Sequence, residues 1–321
     1  MLVFDKAQWL IASNAMASHG KVWFNRAMMA TFPKSLLAPL ALLFAVSACT
    51  SAPKVSAAGD EGWPSPIIDA HTHTGFPDKP EWAQSVPVTE ERYFREMREA
   101  GVTGAVAHGF PDGSGYADYR SRNVVHCAGA GAKVDAARIE AGLKSRKYGC
   151  IKVYLGYEYQ WAYDRHYEPV YRLAEKYGVP VVFHTGDTYL AKGKLKFADP
   201  LTIDEVAVDH PKVNFVIAHC GNPWILSAAE VAYKNANVYL ECSAMLTGDL
   251  SKLPPEQVEE YLVKPLAWIF GYVDKPAKLM FGSDWPLTNM KSYVEAYKRA
   301  IPKEHWNAVF HDNAARLFKL D

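Results

Sequence analysis

The sequence carries no surplus of charge. Lys and Arg total 35 and Asp and Glu total 35 in 321 residues, so no net field favours nucleic acid or an anionic membrane surface. Cysteine is scarce, with five residues. The spacing of Cys127, Cys150, Cys220 and Cys242 is not that of a disulfide scaffold. All four sit in apolar, strand-like contexts, which predicts buried free thiols. No glycine-rich dinucleotide fingerprint follows the first apolar strand segment, which weakens the case for an open nucleotide-binding sheet. The apolar stretch 35–48 is too short to span a bilayer as an ordinary transmembrane helix. About half of the chain, 49%, is hydrophobic, enough for one large core or two modest ones.

That short apolar stretch suits an export signal instead. Arg26 and Lys34 form its basic flank, and it ends Val46-Ser47-Ala48-Cys49. The ending resembles the lipobox of bacterial lipoproteins, in which cleavage precedes the cysteine and its thiol takes the lipid. By that resemblance Cys49 is the lipidation site and the mature N-terminus. An ordinary signal peptide cut after Ala48, or an uncleaved buried helix, is the alternative. Thr50 rather than Asp after the cysteine resembles the outer-membrane sorting pattern, so the expected location is the outer membrane, facing the periplasm. Residues 1–27 contain Asp5 and no clean apolar core. They read as an extension upstream of a start at Met28 or Met29, outside the fold. Residues 49–62 begin at that cysteine and continue small and polar, a tether between lipid and domain.

From residue 63 to 321, strand and helix signals alternate. Strands are expected at 66–73, 104–108, 123–128, 150–155, 179–184, 213–219, 238–243 and 278–284. Helices are expected between most of them, marked by Thr89 with Gly101, by Gly178, and by a capping box at 202–205. Eight strands over roughly 250 residues predict a single catalytic domain, an α/β fold of the (β/α)₈ TIM-barrel type.

Polar residues then gather at the C-terminal ends of these strands. IIDAHTHTG (67–75) puts His71 and His73 at i and i+2, on one face of a strand, with Asp69 behind them. Strand four carries Lys152, strand five ends in His184, strand six in His219 and strand eight in Asp284. In a barrel these ends share one mouth. Imidazoles with a carboxylate suit Zn²⁺ or a similar divalent ion. Such an ion lowers the pKa of bound water towards about 7, and Asp284 is placed to move the proton. Around the mouth, Asp187, Tyr154 and His108 are candidate pocket residues. Tyr157, Tyr159 and Trp161 are read with Tyr154 as an aromatic wall. The parity of strand seven leaves the facing of Glu241 open.

DAHTH (69–73), GCIKVY (149–154), VVFHTG (181–186), VIAHCG (216–221), LMFGSDWP (279–286) and DNAARLF (312–318) occur in an order that resembles the amidohydrolase superfamily, in its amidohydrolase-related branch. The resemblance implies that His71, His73, His184 and Asp284 bind metal. It gives His219 to either a second ion or acid–base chemistry with Asp284. It makes Lys152 a bridging ligand if carboxylated, or else a cation for an anionic substrate. One or two zinc ions, and a homodimer, are implied in the same way.

Three readings of function follow. The first is an exported metal-dependent hydrolase acting on an amide, lactone or ester of a small molecule. The second is a metal-dependent decarboxylase or hydratase of a small carboxylic acid. The third is a binding lipoprotein on a retired barrel. Substrate identity is expected to reside in loops 110–123, 156–166, 186–200 and 244–256.

Overall fold

A computed structural model describes residues 62–64 and 66–321. The expectations for the upstream extension, the export signal, Cys49 and almost all of the tether fall on residues 1–61 and lie outside the described residues. The barrel belongs to the compact unit Val55–Asp321.

Eight parallel strands form one sheet in sequence order: β1 (Ile67–Thr72), β2 (Val102–His108), β3 (Val124–Ala130), β4 (Cys150–Val153), β5 (Val181–Phe183), β6 (Phe215–Ile217), β7 (Val238–Glu241) and β8 (Leu279–Met280). The sheet closes through backbone bonds from Ala70 N to Phe281 O (2.9 Å), Asp284 N to His71 O (2.7 Å) and His73 N to Trp285 O (2.9 Å). This is the expected (β/α)₈ barrel, but β5, β6 and β8 stop earlier than expected. His184, His219 and Asp284 therefore stand just beyond the strands, on the loops where barrels carry their chemistry.

Helices return the chain between strands. α1 (Glu90–Ala100) starts where the Thr89 side chain accepts from Arg92 N and stops at Gly101, whose φ of 72° is left-handed. The returns after β3, β4, β5 and β6 carry α2 (Ala136–Lys144), α3 (Glu168–Tyr177), α4 (Thr202–Asp209) and α5 (Ile225–Lys234). The next return is a helical run, Pro255–Val258, Glu259–Val263 and Lys264–Val273, whose middle segment is a π-turn. α6 (Met290–Ala300) and α7 (Asn313–Phe318) close the chain. The capping box at 202–205 does not form. Thr202 lies inside α4, and its hydroxyl accepts the Ala162 amide instead (2.9 Å).

Inside the barrel, Ile68, Val106, Cys127, Cys150, Val182, Val216 and Met280 form one apolar cluster, packed with Ala314, Leu317 and Phe318 from α7. The closing helix thus plugs the end opposite the mouth, held by Asn313 Nδ2 donating to Pro276 O and Leu279 O.

The free-thiol expectation is overturned. Cys127 is bonded to Cys150 and Cys220 to Cys242. Cys127 and Cys150 are register partners on adjacent parallel strands, with Cα atoms 4.3 Å apart. Their separations in sequence, 23 and 22 residues, are one strand–helix repeat, not a small-domain framework. By loop-closure entropy each bond stabilises by about 3 kcal/mol. Thiol titration of unreduced, denatured protein should find no free thiol among the described residues, and dithiothreitol should lower the urea midpoint. Four titratable thiols would refute the pairing.

Candidate metal centre

β1 is not a regular strand. Ile68 and Ala70 pack in the barrel interior, while Thr72 Oγ1 turns outwards to Tyr93 OH (3.1 Å). The β1–β2 register shifts between Asp69 and Thr72. That bulge changes the parity, so His71 and His73 reach the mouth after an inward Ala70. Asp69 is not behind them as a regular strand would place it. It accepts the Ser283 hydroxyl (2.5 Å), the Ser283 amide (2.9 Å) and the His71 amide (3.1 Å), tying β1 to the loop that carries Asp284. Burial pushes its carboxyl up to about 7, against those hydrogen bonds.

The tautomers can be read from partners. His73 Nδ1 lies 3.2 Å from His108 O, an acceptor, so it carries the proton and Nε2 holds a lone pair. His71 Nδ1 lies 2.6 Å from Glu241 Oε1, with the same consequence. The two Nε2 atoms face Asp284 Oδ1 at 3.2 and 3.5 Å. That carboxylate oxygen is buried and accepts no hydrogen bond. His184 Nε2 donates to Asp187 O (2.9 Å), leaving Nδ1 as an acceptor 3.0 Å from His219 Nε2. On its other side, His219 Nδ1 meets Ser243 Oγ (2.9 Å). The bare acceptors of His71, His73 and Asp284 therefore converge on the mouth, a donor set that suits a divalent cation, while the His184 Nδ1 lone pair is taken by His219 Nε2.

Two of these residues depart from ordinary backbone. His219 has φ 59° and Asp284 φ 61°, both left-handed. Non-glycine residues held this way cluster at functional sites.

Burial keeps the imidazoles neutral. It lowers His71, His108 and His219 well below the usual range, helped by the charge of Lys152 and by neighbouring imidazoles. His184, part-exposed at the rim, is lowered to about 3 by desolvation within the mouth and by Lys152. Neutral imidazole is the ligand form. Imidazole resonances of His71, His108 and His219 in metal-free protein should therefore not titrate between pH 7.5 and 5.5. An inflection near pH 6.5 at any of the three would contradict this.

Lys152 faces inwards above Cys150, as alternation along β4 requires. It is fully buried, and its Nζ has no hydrogen-bond partner, with the Tyr154 ring 5.4 Å away. Burial lowers its pKa and raises that of Glu241, each opposed by the other's charge.

The pocket candidates divide. Tyr154 is buried at the site, its OH donating to Gly109 O (3.2 Å) and its ring near His184 (6.2 Å). Tyr157 meets His184 at 4.8 Å. Tyr159 and Trp161 do not join that wall; both pack on Phe197. His108 lies beneath the mouth, 4.0 Å from the His71 ring. Asp187 serves His184 through its carbonyl, while its carboxylate accepts the Thr188 amide. One contributor escaped sequence reasoning, and one whose facing was left open is now placed. Phe110 stacks on His73 (5.7 Å, 13°) from a loop with no motif. Glu241 is inward and fully buried.

A sequence profile described as amidohydrolase matches residues 68–320. No curated protein matches the chain. Among solved structures it is similar to a probable 2-pyrone-4,6-dicarboxylic acid hydrolase from Acinetobacter baumannii (17% identity, TM-score 0.56, 79% of this chain and 99% of that one). It is also similar to a 5-carboxyvanillate decarboxylase from Sphingomonas paucimobilis (14%, 0.56, 79% and 99%). A third is an amidohydrolase from Burkholderia multivorans with zinc bound (14%, 0.55, 79% and 99%). At such identities the structural likeness shows the barrel fold alone. The profile spans most of the chain, and on that ground the chain belongs to the amidohydrolase family.

Proposed function

We propose that this protein is a metal-dependent hydrolase of a small molecule, acting on an amide, lactone or ester carbonyl. The observation that carries this reading is the approach of His71 Nε2 (3.5 Å) and His73 Nε2 (3.2 Å) to Asp284 Oδ1, with no hydrogen-bond donor to that carboxylate oxygen. These three, with His184, would hold the cation. Zinc is the first choice for that donor set. When bound it supplies Lewis acidity, polarising a carbonyl and making water acidic near neutral pH. The Asp284 carboxylate would take a proton from the attacking water and return it to the leaving amine or alkoxide. His219, anchored by Ser243, sits beside His184 to steady developing charge or share that proton. Phe110, Tyr154 and Tyr157, whose rings lie beside His73 and His184, would pack against the substrate. On the reading of residues 28–62, the enzyme is carried on a lipid at Cys49 and faces the periplasm.

A second reading is favoured by Lys152. A buried ammonium with carboxylates near it but no hydrogen bond is costly, and an anion that hydrogen-bonds to it offsets the cost. A substrate carboxylate would fill that role in a decarboxylase or hydratase of a small carboxylic acid. Carboxylation of the lysine would instead make it an anionic bridge between two ions.

Metal content per chain separates these, measured on protein purified without chelators and with bicarbonate present. Two equivalents, falling to one or none in Lys152→Ala, favour the bridge and the hydrolase. One equivalent, unchanged in that variant, favours the second reading, to be tested by CO₂ release from aromatic and enoic acids. No metal after Zn²⁺ or Mn²⁺ is supplied would sink both.

A further inference from the structure

Glu241 ends β7 and makes three contacts with one carboxylate. Oε1 accepts from His71 Nδ1 (2.6 Å) and from the His219 amide (3.1 Å). Oε2 accepts from the Ser243 amide (2.9 Å). Every group pointed at it is a donor, which suits an ionised carboxylate with its several acceptor positions. A carboxylate at Nδ1 of an imidazole fixes the proton there and leaves Nε2 as the ligand nitrogen. The His219 amide belongs to a residue in left-handed backbone, φ 59°, a conformation that needs holding. The neighbouring motif makes room for this group. A Cβ on Gly282 would stand 2.7 Å from Glu241 Oε2 and 3.2 Å from His71 Cβ. The glycine of LMFGSDWP is thus the floor on which the carboxylate rests.

We propose that Glu241 is a positioning residue whose single carboxylate sets both the tautomer of His71 and the backbone at His219. The metal-facing nitrogen of one strand end and the histidine of another are registered by the same group. The proposal rests, for its catalytic purpose, on the reading that His71 holds a metal.

Two variants test it. Glu241→Gln keeps the shape but has one acceptor oxygen for three donors, so its amide NH₂ must face either Ser243 N or the His71–His219 pair. Gly282→Ala keeps the carboxylate and pushes it away. The first readout is the His71 tautomer in metal-free protein, by ¹⁵N-edited NMR of histidine-labelled chain. The second is zinc affinity by chelator competition, with urea midpoints as the folding control. The expected result is an Nδ1–H tautomer in the wild type, lost or mixed in both variants, and zinc binding weakened roughly 10- to 100-fold. A wild-type His71 protonated at Nε2 would overturn the proposal. So would variants that keep both the tautomer and the affinity within twofold. If Glu241→Gln does not fold, Gly282→Ala decides. If the wild type binds no zinc and His73→Ala changes nothing, the metal reading fails by itself, and the NMR tautomer still decides the role of Glu241.

Discussion

Asp284→Asn is expected to lower turnover by roughly 10²- to 10⁴-fold, the usual worth of a positioned proton carrier, on whichever amide, lactone or ester a substrate screen identifies. The change removes the proton acceptor and the negative charge but keeps an oxygen where Oδ1 faces His71 and His73. Asn matches Asp in shape and is, like Asp, among the residues that tolerate left-handed backbone, so the φ of 61° is no obstacle. The amide that ties this loop to β1, Asp284 N to His71 O at 2.7 Å, is backbone and survives. Zinc content should stay near that of the wild type, because His71, His73 and His184 are untouched. The loss should fall on kcat more than on KM, since the missing step is proton transfer rather than binding. Unchanged turnover would remove Asp284 from the chemistry. A loss of metal together with turnover would make it chiefly a ligand.

The order of strands and the candidate site residues were legible because five of the eight expected strands carry at or near their C-terminal ends a residue type that packing alone does not favour. His71, His73, His184, His219 and Asp284 all arrive at one mouth, as a barrel requires. What was not legible depends on contacts between elements distant in sequence. The bulge at Asp69–Thr72 leaves no composition signal, so Asp69 was given the wrong facing. Glu241 has strand parity compatible with either side until β7 is registered against β6 and β8. The disulfides were missed because cysteines one strand–helix repeat apart become neighbours only once adjacent strands pair in register. Thr202 carries a capping pattern, but a tertiary donor, the Ala162 amide, claims its hydroxyl. Local signals located the elements; closure of the sheet decided the partners.

Lys152→Met should stabilise the metal-free protein and disable the enzyme. Met has nearly the length of the lysine stem and no charge, so the volume at this fully buried position is kept. The wild-type ammonium has been taken out of water and given no hydrogen bond in return. Glu241 and Asp284 attract it, but burial is the larger influence and lowers its pKa below that of a free lysine. Removing the charge removes that desolvation cost together with its attraction to the two carboxylates, and a urea midpoint on chelator-treated protein reads the balance directly. Activity should nonetheless fall, whether the lysine receives a substrate carboxylate or bridges two ions after carboxylation. A stable but inactive variant is the trade-off expected of a residue kept for function. The two routes to inactivity then differ in the metal count, which falls only if the lysine is a ligand. A destabilised Lys152→Met would mean that attraction to Glu241 and Asp284 outweighs desolvation. Lys152 would then be a structural counter-ion of the two carboxylates, and the case for a site waiting for an anion would fall with it.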